Sequence, residues 1–334
     1  MRLALTRLFD WIWYRPNPLR WLLWPVSLLF RGLSRLRESR YRSGSRSVVE
    51  LGVPVVVVGN ISLGGTGKTP SVIWLARELE SRGLVVGIVS RGYGGKARVW
   101  PQRVETGSDP AAVGDEPVLI ARATRCLVVV APDRVAAAKA ILASRPVDVI
   151  LSDDGLQHYA LARDFEIAVI DAARGIGNGL CLPAGPLREP ASRLDEVDAV
   201  IVNGTGDWTW KGAVRAVPRP GRPYRWDGQE ERELAEFSAA RVHAVAGIAN
   251  PSRFFSMLEA AGLDVIPHPH PDHARLRRAD VEFRDKLPVF ITEKDAVKLP
   301  SGSAAEIWSV PLILEFANGD GERLVDLVVE TIAR

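Results

Sequence analysis

The stretch Val53-Pro-Val-Val-Val-Val-Gly-Asn-Ile-Ser-Leu-Gly-Gly-Thr-Gly-Lys-Thr-Pro70 decides the fold. Its first half, Val53 to Gly59, is a continuous β-branched run, the composition of a strand buried on both faces of a parallel sheet. The second half is glycine-rich, closes on Gly67-Lys68-Thr69 and leads into a helical stretch, 70–82. Strand, glycine loop, Gly-Lys-Thr and helix, in that order, are the context of a phosphate-binding P-loop. Its candidate binding residues are Ser62, Leu63, Gly64, Gly65, Thr66, Gly67, Lys68 and Thr69. Glycines let backbone N–H groups close around phosphate oxygens, and the helix N-terminus adds partial positive charge. Lys68 is expected to reach the β- and γ-phosphates, and the Thr69 hydroxyl to bind Mg²⁺. The pattern departs from G-x-x-x-x-G-K-T at one place, where Ser62 stands for the first glycine. Gly64 and Gly65 are expected to supply the lost flexibility.

Outward from this unit the rhythm repeats. Apolar runs at 85–89, 127–131, 147–151 and 166–170 read as strands, with a helix over 133–144 between two of them. Strands alternating with helices predict a doubly wound parallel α/β sheet of the P-loop NTPase type. The run Val147-Asp-Val-Ile-Leu-Ser-Asp-Asp154 resembles a Walker B strand, with Asp153 and Asp154 emerging at its carboxyl end to hold Mg²⁺ directly or through water. Gly114-Asp115-Glu116-Pro117 reads in two ways: as an ordinary helix start with Asp115 as N-cap, or as a general base beside a metal contact. Ser90-Arg-Gly-Tyr-Gly-Gly95 leaves the second strand on the P-loop rim. Arg91 and Tyr93 are its candidate substrate contacts, although a plain surface loop carries the same letters.

The charge is unevenly spread. Residues 1–46 hold ten arginines against two acids, Asp10 and Glu38, whereas the remaining chain carries 33 basic and 38 acidic residues. Four of the ten tryptophans fall in that head. Its longest strongly apolar run, 21–30, contains Pro25 and is about half of what a spanning helix needs. Leu5, Leu8, Phe9 and Ile12 make one apolar helical stripe. Tryptophan and arginine around such a stripe suit the headgroup boundary of an anionic bilayer, so the head is expected on a membrane surface. No recognisable nucleic-acid module accompanies the charge, and no obligate protein partner is evident. Two cysteines cannot build a disulfide framework.

Beyond the P-loop unit (47–203), residues 204–240 turn polar and proline-rich and read as a linker or excursion. A second, smaller α/β domain is expected over 241–334, with strands at 241–247, 288–292 and 312–316 and a last helix at 321–333.

Taken together, the basic aromatic head, GNISLGGTGKTP, SRGYGG, GDEP, DDGLQH, LPAGPLREP, GIANP and TEKDAVKL resemble the tetraacyldisaccharide 4′-kinases of lipid A biosynthesis. The motifs run from Gly59 to Leu299, so the resemblance covers nearly the whole chain. It implies an ATP- and Mg²⁺-dependent enzyme that phosphorylates the 4′-hydroxyl of an acylated glucosamine disaccharide 1-phosphate, giving lipid IVA. It also implies a peripheral protein on the cytoplasmic face of the bacterial inner membrane. Carried over by motif, Asp115 would be the base, and Glu116, Asp153 and Asp154 would surround the metal. His273 of Pro271-Asp272-His273 would stand beside the base, with His268 and His270 close by in sequence. The competing expectation is a membrane-associated P-loop switch NTPase. Its guanine-reading N-K-x-D element finds only Thr292-Glu-Lys-Asp295, where Lys294 and Asp295 are adjacent and the spacing is wrong.

Overall fold

The computed structural model describes residues 2–226, 228, 230–299 and 306–333, with side chains described from residue 8 onward. Two helices open the chain, α1 (Arg2–Tyr14) and α2 (Leu19–Arg42). The body then alternates through β1 (Val55–Gly59), α3 (Lys68–Ser81), β2 (Val86–Ser90), β3 (Gln102–Val104), α4 (Pro110–Val113), α5 (Asp115–Ala123), β4 (Leu127–Val130), α6 (Arg134–Ser144), β5 (Val149–Asp153), β6 (Phe165–Asp171), β7 (Ala199–Asn203) and β8 (Val214–Pro220). There follow β9 (Tyr224–Arg225), β10 (Arg241–Ala246), α7 (Pro251–Ala260), β11 (Asp264–Pro269), β12 (Val289–Thr292), α8 (Glu293–Ala296), β13 (Ile307–Val310), β14 (Leu312–Phe316) and α9 (Asp320–Ile332).

The large sheet has the order β14-β8-β7-β6-β1-β5-β2-β4-β3. Its interior pairs are parallel, and both edge strands run antiparallel to their neighbours. β1 lies in its middle with all five residues buried, as the β-branched run requires. Its register sets Val58 opposite Asp153 of β5. The P-loop and the acidic pair therefore leave the sheet side by side at its carboxyl edge, where open α/β sheets bind ligands. A second sheet, β11-β10-β12-β13-β9, forms the smaller lobe around Phe237, Phe254, Phe290 and Trp308.

The expected division of the chain needs two corrections. Residues 204–240 are not only a linker: β8 is a full strand of the large sheet, paired with β7. Residues 241–334 are not all second-lobe. β14 pairs with β8, and Leu324, Val325 and Val328 of α9 join the same core as Val56, Leu75 and Leu79. The proline-rich composition of β8 misled because β8 has only one parallel neighbour and meets β14 in antiparallel fashion near the sheet edge, where proline is tolerated. The smaller lobe is thus an insert whose two ends meet where Gly221 N donates to Pro311 O at 2.8 Å.

The head is docked on the body. Trp13 Nε1 donates to Pro183 O at 2.9 Å, and Ala184 N donates to Ser27 Oγ at 2.9 Å. The stripe expected on α1 divides: Ile12 is buried against the body, Leu8 is exposed, and the side chain of Leu5 lies outside the described residues. The apolar face turned to solvent belongs instead to α2. Leu22, Val26, Leu29, Leu33 and Leu36 recur at helical spacing, and each is at least half exposed. Among the described residues no helix is long and apolar enough to cross a membrane.

Because α9 seals the large lobe, Leu324→Ala is expected to cost about 2–5 kcal/mol. Hydrogen exchange should accelerate in α3 and β8 while β10 and β12 keep wild-type protection. Selective loss of protection in the smaller lobe would show that α9 stabilises the wrong sheet.

Candidate active site

The P-loop is shaped by its neighbours as much as by its glycines. Ser62 sits in extended backbone, bridged to Leu187, with Arg188 N donating to Ile61 O at 2.6 Å and Leu63 N to Pro186 O at 2.8 Å. No left-handed backbone is needed there, which explains how serine replaces the usual glycine. The left-handed positions are Gly64 (φ 108°) and Gly67 (φ 95°). Asn203, at the carboxyl end of β7, donates from Nδ2 to Thr66 O at 2.8 Å, and Asn60 Nδ2 donates to Thr66 Oγ1 at 3.1 Å. A Cβ on Gly67 would stand 2.0 Å from Asn203 Nδ2. Glycine there is a steric requirement as well as a conformational one.

Beside the loop, the expected acids divide into a paired and an unpaired group. Asp154, held in left-handed backbone at φ 50°, faces Lys68 Nζ at 3.6 Å and Arg188 Nη1 at 3.2 Å. Burial opposes its charge, but the two cations hold its carboxyl below the ordinary range. Arg134 donates to its carbonyl at 3.0 Å. Asp153 is fully enclosed. Its Oδ2 accepts from Ser90 Oγ at 2.8 Å, and its Oδ1 has no partner. Burial, then Glu116 and Asp154, push it up to about 7. A buried carboxylate oxygen without a donor, next to two further acids, is the environment that a bound cation relieves. With the Thr69 hydroxyl on the adjoining helix turn, these residues fit Mg²⁺. Among the described residues no three His, Cys, Asp or Glu side chains cluster tightly enough to make a metal cage. Magnesium sites that share substrate phosphates need only one or two carboxylates.

The two lobes meet at Asp115. It occupies the first turn of α5, but Gly114 is the N-cap, so the capping alternative does not hold. Its carboxylate accepts instead from His273 Nδ1, at 3.1 and 3.0 Å to the two oxygens. Asp115 is 6% exposed, and His273 hangs from a loop of the smaller lobe at φ 58°. The hydrogen bond to Asp115 raises the imidazole against burial and Lys294. Burial alone would raise Asp115, but His273 and Lys294 lower it. Lys294, at the start of α8, reaches Glu116 Oε1 at 3.0 Å, Asp272 Oδ1 at 3.4 Å and His273 Nε2 at 3.5 Å. Although burial opposes its charge, these acids keep the lysine firmly protonated. Of the neighbouring histidines, His268 is turned away to His243 at 2.9 Å. Tyr93 is exposed and packs edge-on to His273, with centroids 5.5 Å apart, while Arg91 stands exposed at the rim.

Three residues here lay beyond sequence reasoning. Arg188 was visible only as a letter of LPAGPLREP. Lys294 read as part of a failed guanine element. Asn203 was visible only as the last residue of the P-loop unit, although a polar residue ending an apolar strand beside a P-loop was the available signal. Asp295 of that failed element is structural: it accepts from Thr292 Oγ1 at 2.6 Å and from Gly247 N at 2.8 Å.

The family described as tetraacyldisaccharide-1-P 4′-kinase matches residues 19–332. A tetraacyldisaccharide 4′-kinase of Alkalilimnicola ehrlichii is 52% identical over 303 residues, covering 91% of this chain and 88% of the relative. One of Nitrosococcus oceani is 48% identical, covering 95% and 93%. The crystal structure of an "apo" form of LpxK from Aquifex aeolicus in complex with ATP superposes with a TM-score of 0.78 at 26% identity, covering 94% of this chain and 99% of that one. With the P-loop, the acidic pair and the inter-lobe carboxylate–histidine contact in place, the chain belongs to the tetraacyldisaccharide-1-P 4′-kinase family.

Proposed function

We propose that this kinase passes the γ-phosphate of ATP to the 4′-hydroxyl of an acylated glucosamine disaccharide 1-phosphate, with Asp115 as base and His273 as its positioning partner. The observation that carries this reading is the Asp115–His273 hydrogen bond, formed across the lobes beside the P-loop. Phosphoryl transfer needs positioning and charge neutralisation more than covalent chemistry. A carboxylate kept ionised near neutral pH is a weak base, suited to taking the hydroxyl proton late, as the oxygen bonds to phosphorus. His273 donates to Asp115 through Nδ1, which orients the carboxylate. Lys68, now resting on Asp154, is placed to move to the phosphates. Thr69 and Asp153 are the residues best placed to hold Mg²⁺, which when bound neutralises phosphate charge. Glu116 and Asp154 would first have to give up Lys294 and Lys68.

The α2 face supports a seat for the enzyme on its lipid substrate's membrane. Leu22, Val26, Leu29, Leu33 and Leu36 form a continuous apolar stripe on a helix rich in arginine, next to Trp21 and Trp24. Such a face lies in the interface of an anionic leaflet, and for a kinase using ATP that leaflet is the cytoplasmic one of the inner membrane.

Asp115→Asn should lower kcat by about 10²- to 10⁴-fold with acceptor KM nearly unchanged. Label transfer from γ-labelled ATP to the disaccharide monophosphate in detergent micelles measures this, and a KM defect with normal kcat would remove Asp115 as base. The dyad also leaves a mark on stability. His273 is raised above its ordinary 6.5, so its contribution is full below that value and fades as pH rises through the raised one. Asp115 is lowered from 3.8, so its contribution fades only in acid below that value. The melting-temperature gap between wild type and His273→Gln should therefore be widest between those two ordinary values and narrow towards alkaline pH; a gap that widens there would contradict the pairing. Replacing Leu29 and Leu33 together by Asp should weaken binding to anionic vesicles at least about tenfold while leaving ATP binding in solution intact. Unchanged vesicle binding would discard the α2 seat.

A further inference from the structure

β6 ends in a turn that presents one cation with no acid of its own. Asp171 Oδ1 accepts from Ala173 N and from Arg174 N, both at 3.0 Å, and Gly175 N donates to Asp171 O at 2.8 Å. Three bonds to one residue fix the backbone at Arg174. From there the side chain crosses to the P-loop, where its Nη1 lies 3.1 Å from the place a Cβ would take on Gly64. The guanidinium lies over the ring of Tyr14 on α1, at 5.6 Å. Stacking engages its face and leaves the in-plane N–H donors free. Among the described residues it has no carboxylate within ion-pair distance and no hydrogen-bond acceptor. Three other cations around the loop are engaged: Lys68 and Arg188 on Asp154, and Arg253 on Asp171 at 3.4 Å. Arg174 also borders a cavity of about 520 Å³ lined by Asp10, Trp11 and Tyr14 of α1 and by Arg15 and Ala173, which leaves its side chain room to swing.

The place it points to is informative. In the cradle, Gly67 and Thr69 at the helix start would hold the inner phosphates, with Lys68 reaching the β and γ ones. The outer limb, Gly64 and Gly65, would then lie over the terminal one. The acids reach that position from the β5 side of β1, and Arg174 reaches it from the β6 side. A planar fork of N–H donors suits a phosphoryl group whose charge spreads over three oxygens in the transition state.

We propose that Arg174 is a catalytic residue of this kinase, meeting the terminal phosphate of the nucleotide at Gly64 and sharing the charge that develops during transfer, with Tyr14 of the head as its positioning partner. The proposal rests on the P-loop being the nucleotide site, and it is separable from the identity of the acceptor. It is tested on the full chain by the affinities of a non-hydrolysable ATP analogue and of ADP, each with Mg²⁺, for wild type, Arg174→Met and Arg174→Lys. Arg174→Met should lose at least about tenfold in affinity for the analogue and keep that for ADP, which also shows that the fold and the inner cradle survive. Its kcat should fall by about 10³-fold, the low end for an arginine acting on phosphoryl transfer. Arg174→Lys should recover part of both, as a point charge without the fork. An Arg174→Met protein that discriminates between the analogue and ADP as wild type does would overturn the assignment. If wild type itself transferred no phosphate to the disaccharide, the functional reading would fail instead, whatever Arg174 does to nucleotide binding.

Discussion

The hydrogen bond between Asp115 and His273 governs the arrangement of everything else, because its two partners grow from different sheets. Asp115 begins a helix of the large lobe, and His273 lies in a loop of the inserted one. To close that contact the insert must stand over the carboxyl edge of the large sheet, and its two connections must enter and leave together. They do so at Gly221 and Pro311. Contacts near the P-loop follow the same geometry: Gly65 lies against Ala249 of the insert, with 3.1 Å from its Cβ position to that methyl. A cleft formed in this way can shut on two substrates and keep water from the terminal phosphate.

Charge balance is the second constraint. The site gathers Asp115, Glu116, Asp153 and Asp154 in a largely buried space, a collection that is unstable without cations. Lys294 and His273 serve the first two, and Lys68 and Arg188 serve Asp154. Of the four, Asp153 alone keeps a buried oxygen without a donor, and it alone is driven strongly upward. The pairs hold the site together while the phosphates and their metal are away. The cost of burying Asp153 is what a bound cation removes, so the site is built to favour the loaded form.

Much of this was legible in the chain. The P-loop, the acidic pair and the parallel sheet follow from β-branched runs punctuated by glycine, because burial on both faces and tight phosphate contact leave little choice of residue. Through the family resemblance, the motif Asp272-His273 named the histidine that meets Asp115. The missed site residues share one cause: a residue whose partner is far away in sequence has no local signature. Lys294 touches Glu116 across 178 positions, and Asn203 touches Thr66 across 137. β8 was obscured by its prolines, which an exposed backbone near a sheet edge tolerates and a central strand would not. The membrane-facing stripe was sought on α1, where amphipathic spacing was clearest. Yet Ile12 is buried there, and the wider apolar surface of α2 is left outward.

The return of β14 and α9 to the large sheet has a temporal side. A ribosome makes the chain from its amino end, so the loop, the acidic pair and Asp115 of the large lobe are all made before the strand that borders β8. The insert emerges whole in between, and its own core of Phe237, Phe254, Phe290 and Trp308 can condense while the parent sheet still lacks an edge. Until α9 arrives, the inner face that Leu324, Val325 and Val328 cover stays open to water. Every strand of the small lobe is therefore made before the strand and helix that complete the large one. A nascent chain stalled short of Leu312 would carry every residue of the phosphate site on a sheet that is not yet closed.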